Sequence, residues 1–157
     1  LYFPGGGIYV TACTDSRLIA QATEFCAAHP ALAGETFNVV NGDAVVWQDM
    51  WPAIAAFFKM PVGEHRPLHL AAQMPMRESE WARIVAKHGL AAKRMAEIVG
   101  ASWQMADLTF GYGKARAPDR LMSPIKLRKA GFAGCEDTAD SVMYWLGEMQ
   151  RARLLPY

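Results

Sequence analysis

The pattern of apolar and polar positions is helical over most of the chain. Leu18, Ile19, Ala22, Phe25 and Cys26 recur at helical spacing. They predict a helix capped by Asp15 or Ser16 and running to about Ala28, because Pro30 pushes His29 out of the α region. Trp47, Trp51, Ile54, Ala55 and Phe58 predict a second helix, from about Val46 to Lys59. Its cap is weak, with Val46 at the start, although Asp49 suits the first turn. Glu78 to His88 carries Trp81, Ile84, Val85 and His88 on one side, with Gly89 as its stop. A single helix is expected from Lys93 to about Phe110, and a short one from an Asp119 cap to Ala130, ended by Gly131. In the last helix Asp137 is the expected N-cap, with Asp140 three residues on. Val142, Trp145, Leu146 and Met149 form its expected inner face.

Only short runs have β character. Phe37-Asn38-Val39-Val40 reads as a buried strand. It is broken by the turn signal Asn41-Gly42-Asp43 and followed directly by the second helix. This is a βα unit of the kind that joins a parallel sheet. Leu1–Pro4 and Ile8–Thr11 are shorter extended pieces. Met60 to Met76 reads as a loop with one extended stretch, Pro67 to Ala71. One strand cannot make a parallel sheet, so the βα unit predicts sheet partners outside these residues. The chain opens at Leu1 without an initiator Met and reads as part of something longer.

Composition adds limits. A length of 157 residues fits one domain, and 52% apolar content excludes general disorder. Five Trp and seven Phe predict a core rich in aromatic burial. A net charge of +1 gives no electrostatic case for nucleic acid or an anionic membrane, and no apolar run has the length of a membrane span. Cys13, Cys26 and Cys135 have neither metal-like nor redox-like spacing and read as reduced thiols of a cytoplasmic protein.

Candidate chemistry is sparse. Gly5-Gly6-Gly7 is not a dinucleotide fingerprint and reads as a turn. His65 and His69 are four apart, but Pro61, Gly63 and Pro67 make that segment a loop, with no third metal ligand in view. Asp43 and Asp49 read as caps. No G-x-S-x-G elbow occurs. Trp103, Met105, Met122 and Phe132 could line an apolar pocket, with plain core the ordinary alternative.

The blocks Phe3-Pro4-Gly5, Thr14 to Ala20, and Phe37 to Asp43 with Trp47 and Trp51 resemble the carboxy-terminal half of extended short-chain dehydrogenases. The likeness is to the progesterone 5β-reductase and iridoid synthase-like group. Trp81 with Ile84 to Leu90, Trp103-Gln104-Met105-Ala106-Asp107, Ser123 with Lys126 to Arg128, Gly131-Phe132, Asp137-Thr138 and Leu154-Leu155-Pro156 continue the resemblance in the same order. It implies a helix-rich α/β fold, in which residues 1–157 are one substrate-binding lobe and strand 36–40 belongs to a Rossmann sheet whose other strands are missing here.

The resemblance further implies NADP held by an amino-terminal Rossmann half, so that no cofactor-binding or catalytic residue falls in this chain; the ligand count above likewise gives no metal residue. It implies reduction of the C=C bond of an apolar enone, with Met105, Trp103 and Phe110 at the substrate and the loop Phe110 to Pro118 at the pocket rim. Gln104 replaces the second Trp of the family stretch, which bears on pocket shape. The expected partners are the Rossmann half, the substrate and a second copy in a homodimer. Alternatives from other classes are a stand-alone binding module and the lobe of a sugar-nucleotide epimerase or dehydratase.

Overall fold

The computed structural model describes residues 1–100, 102–115 and 118–157. Eight α-helices are present among them: α1 (Ser16–Ala27), α2 (Trp47–Phe57), α3 (Leu70–Gln73), α4 (Glu78–His88), α5 (Ala96–Val99), α6 (Ser102–Thr109), α7 (Ile125–Lys129) and α8 (Thr138–Arg151). Short 3-10 turns cover Pro30–Leu32 and Met74–Arg77. The chain divides into two compact units. One comprises Leu1–Tyr9, Trp47–Ala117 and Met143–Tyr157, the other Val10–Val46 and Pro118–Val142.

The fold is helix-rich, as expected, but the described residues contain no strand. The stretch expected as a strand at 36–40 is extended without a ladder. Side chains meet its carbonyls: Thr14 Oγ1 donates to Val39 O at 2.8 Å and Lys126 Nζ to Thr36 O at 3.0 Å. A ladder requires a second backbone alongside, and these residues do not provide one. Alternation is still visible, since Phe37 and Val39 pack inward while Thr36 and Asn38 face out. The Ile8–Thr11 candidate reduces to isolated bridges from Thr11 to Val45 and to Arg120.

In the second unit, Leu18 and Ala22 of α1, Leu127 of α7 and Phe132 form the core, with Phe25, Cys26, Phe37 and Val39 against it. Ile19, expected on the same face, is 47% exposed. Asp15 caps α1 by accepting from Arg17 N at 2.7 Å. Asn41 is 1% exposed and holds the unit together. Its Oδ1 accepts from Asp15 N at 2.7 Å, and its Nδ2 donates to Thr138 Oγ1 at 3.0 Å. Its backbone N–H donates to Cys13 O at 2.9 Å and its carbonyl accepts from Glu136 N at 3.0 Å. Asp43 caps the last helix, accepting from Thr138 N at 2.8 Å and from its hydroxyl at 2.6 Å. Asp137 contributes as expected by accepting from Asp140 N at 2.9 Å. Asp119 does not cap α7, which starts later, at Ile125. Its carboxylate accepts from Val10 N at 2.8 Å instead.

In the first unit, Trp81 and Val85 of α4 join Leu90 and Met95 in a core, with Met74, Ile98 and Trp103 partly buried against it. Helix α4 runs over the expected residues and ends at Gly89, whose φ of +62° is the left-handed cap. The single helix expected from Lys93 to Phe110 is instead two. Gly100, with φ +53° and ψ −122°, leaves the helical region and separates α5 from α6. Residues Pro67 to Ala71 do not remain extended, because α3 begins at Leu70. Gly6 lies against Gly111: its N–H donates to Phe110 O at 2.9 Å, and a Cβ on it would meet Gly111 O at 2.1 Å.

Two stability predictions follow from these contacts. Asn41→Ala leaves the Asp15 amide without its acceptor, removes one of the two bonds of the Thr138 hydroxyl and opens a small void. It should cost about 2–4 kcal/mol in denaturant unfolding, whereas Asn38→Ala on the exposed side should cost under about 0.5 kcal/mol. Gly6→Ala forces backbone apart rather than a flexible side chain, so a loss of about 3 kcal/mol is expected, read as a lowered urea midpoint with unchanged slope.

Candidate functional site

A concave, largely apolar pocket of about 570 Å³ lies within the first unit. Helix α6 forms one wall with Trp103 and Ala106, and Phe110, just past its last residue, continues the same face at i+7 with its amide bonded to Ala106 O. Helix α3 and the following turn form another with Leu70, Met74 and Arg77. Leu1, Tyr2 and Pro4, beside Arg66 and Leu68, close a third. This volume suits a small-molecule ligand.

The walls are positioned by identifiable contacts. Asp107 joins α6 to α3 by accepting from Leu70 N at 2.8 Å and Ala71 N at 3.0 Å, the first amides of a short helix that otherwise lacks a side-chain cap. A carboxylate there also suits the helix N-terminus. His69 Nε2 lies 3.4 Å from the same carboxylate, and its ring stacks on Tyr112 at 4.9 Å. The third wall is tied by backbone bonds, Gly63 N to Leu1 O at 3.0 Å, Arg66 N to Phe3 O at 3.1 Å and Leu68 N to Pro4 O at 2.8 Å. Behind it, Phe3, Trp47, Trp51 and Phe110 pack edge to face with centroids 5.3–5.9 Å apart. This is the favoured aromatic geometry.

Of the residues expected at the substrate, the structure brings Trp103 and Phe110 together on the pocket wall. Met105 stands about half a turn away around α6 and is 60% exposed, outside that lining. Gln104 is exposed. In the second unit, Met122 is half exposed and Phe132 is core. The rim candidate Phe110 to Pro118 contributes Phe110, while Arg116 and Ala117 lie outside the described residues. Sequence reasoning missed Leu70, Met74, Arg66 and Arg77. It also missed Asp107 as the positioning group, although Asp107 closes the Trp103–Asp107 block that it singled out.

The remaining candidates have structural employment. The amides of Gly6 and Gly7 donate to Phe110 O and Gly111 O, so this glycine cluster is not a phosphate cradle and does not fit a dinucleotide cofactor. His65 pairs with Gly5 O at 2.8 Å and packs on the Phe3 ring. Among the described residues, no group of three or more His, Cys, Asp or Glu is arranged to hold a metal ion. No helix among them is long and apolar enough to cross a membrane. Burial, reinforced by the Asp43 charge, pushes the Cys13 thiol above its ordinary pKa, the opposite of what a nucleophile requires.

No family model matches the chain. Curated relatives do. An (S)-8-oxocitronellyl enol synthase of Camptotheca acuminata is 28% identical over 154 residues, which cover 95% of this chain and 37% of that protein. The (S)-8-oxocitronellyl enol synthase of Antirrhinum majus is 30% identical over 145 residues, covering 90% and 36%. A short chain dehydrogenase of Penicillium aethiopicum is 27% identical over 154 residues, covering 88% and 39%. The chain is thus homologous to iridoid synthase-like enol synthases and to proteins named short chain dehydrogenases, as the resemblance in the sequence implied. It spans little more than a third of the length of these relatives.

The thiol environments give a direct check. At neutral pH exposed Cys135 should react with iodoacetamide ahead of half-buried Cys13. Because the Cys13 pKa is raised, its thiolate fraction is depressed at neutral pH, and its labelling rate should keep rising into more alkaline solution. Peptide mapping across a pH series reads both. Faster labelling of Cys13 at neutral pH would contradict this assignment.

Proposed function

We propose that these residues form the substrate-binding lobe of a nicotinamide-dependent oxidoreductase that reduces the C=C bond of an apolar enone. The observation that carries this reading is the apolar pocket walled by Trp103 and Phe110, in a chain whose relatives are named enol synthases and short chain dehydrogenases. In this reading an amino-terminal Rossmann domain outside these residues holds NADP, which supplies the hydride. The extended stretch 36–40 adds to that domain's sheet. The part played by this chain is to bind the apolar body of the substrate, exclude water from it and fix its orientation. No catalytic residue is assigned here. The polar groups of the pocket are guanidinium and phenol groups suited to binding, and the charge developing on the enolate oxygen is met outside this lobe.

The test uses the whole protein of which these residues are part. NADPH oxidation is followed with an acyclic enal, a cyclic enone and their saturated analogues. Oxidation dependent on the conjugated C=C is expected. Trp103→Ala should raise KM about tenfold with a smaller change in kcat, as expected for loss of uniform binding. Oxidation with the saturated ketone alone, or with none of these compounds, would overturn the proposal.

A further inference from the structure

The pocket assigned to the substrate is apolar over most of its wall, yet Arg66 and Arg77 both stand on it and no carboxylate does. Both residues are exposed, so water meets their charge in the free protein, and an anionic ligand group would take that water's place. Arg77 has Glu80 at 3.8 Å, with both side chains about half exposed, and so loose a pair adds little. The guanidinium of Arg66 has no ion-pair partner among the described residues. The acid on the adjoining helix, Asp107, is already engaged by the amides of Leu70 and Ala71 and faces His69. Its charge therefore stays with the α3 terminus. Arginine is the side chain whose planar fork matches a carboxylate, and it keeps its charge at any working pH.

We propose that the pocket binds an amphiphilic carboxylic acid. The apolar body lies against Trp103, Phe110 and Leu70, and the carboxylate is held by Arg66 with Arg77 as second cation. This rests on the reading of the pocket as the substrate site and adds the substrate class to it. An enone carrying a terminal carboxylate would combine the two. The anion fixes which end of the molecule enters, so Arg66 and Arg77 determine specificity and take no part in bond making.

Octanoate and octan-1-ol serve as probes with the same chain length, titrated against the protein by tryptophan fluorescence and calorimetry. Octanoate should bind at least fivefold more tightly than the alcohol at low salt, and the difference should shrink as ionic strength rises. Arg66→Gln should weaken octanoate about fivefold and leave octan-1-ol unchanged, with Arg77→Gln acting in the same direction. Trp103→Ala should weaken both. Equal or tighter binding of the alcohol, with Trp103→Ala still weakening both, would overturn the carboxylate assignment and leave the pocket as the substrate site. Binding of neither probe would overturn both.

Discussion

The second unit depends on one buried amide. Asn41 sits at a chain reversal, and its four hydrogen-bonding groups have partners in two distant segments, Cys13 and Asp15 in one and Glu136 and Thr138 in the other. A buried amide this fully bonded is directional where apolar packing is not, because each bond specifies a distance and an angle. The next residues extend the effect. Gly42 takes φ +117°, which suits glycine, and this brings Asp43 to the N-terminus of α8, where it meets the Thr138 amide and hydroxyl. The first turn of α8 is therefore held by polar contacts. Thr138 and Ser141 are buried there, and the Ser141 hydroxyl donates to Asp15, which in turn caps α1. Two helix starts thus share one polar network.

The first unit uses the same physics once more, at the pocket. Helix α3 has four residues, too few to be stable alone. The Asp107 carboxylate supplies the acceptors that its first amides need and ties it to the helix bearing Trp103 and Ala106 and leading into Phe110. Two walls of the pocket are therefore set by one side chain that does not line it. On the far side, the close approach of Gly6 to Gly111 fixes the strand-like opening segment against the end of α6. The space between is shaped by backbone and carboxylate geometry, and the aromatic side chains then fill its boundary.

The sequence was legible where a local rule decided the outcome. The α1 cap at Asp15, the limits of α4 with Gly89, and the Asp137 contact in α8 follow from residues adjacent in the chain. It was less legible where a distant group decided. Asp119 looks like a cap, but the amide of Val10 takes its carboxylate. Pro67 to Ala71 looks extended, but Asp107, more than thirty residues on, supplies what α3 needs to form. Gly100 interrupts a continuous apolar stripe, which periodicity alone does not register. The site was half legible for the same reason. Trp103 and Phe110 share a helical face, whereas Arg66, Leu70 and Arg77 reach the pocket through tertiary arrangement.

The stretch 36–40 ties the fold to the proposed function. Its side chains alternate over 36–39, Val40 is buried next to Val39, and Phe37 and Val39 pack on the α1–α7 core. Its backbone, however, is met by a lysine and a threonine side chain instead of a neighbouring backbone. Extended backbone without a ladder and with an apolar inner face is what a sheet edge offers, and an unpaired edge favours pairing. The Lys126 contact is solvent-exposed and shared with Glu35, whose pKa it lowers through a hydrogen bond and charge. Under the proposed function this stretch is the edge offered to the partner sheet, and the apolar pocket of the other unit is the binding wall.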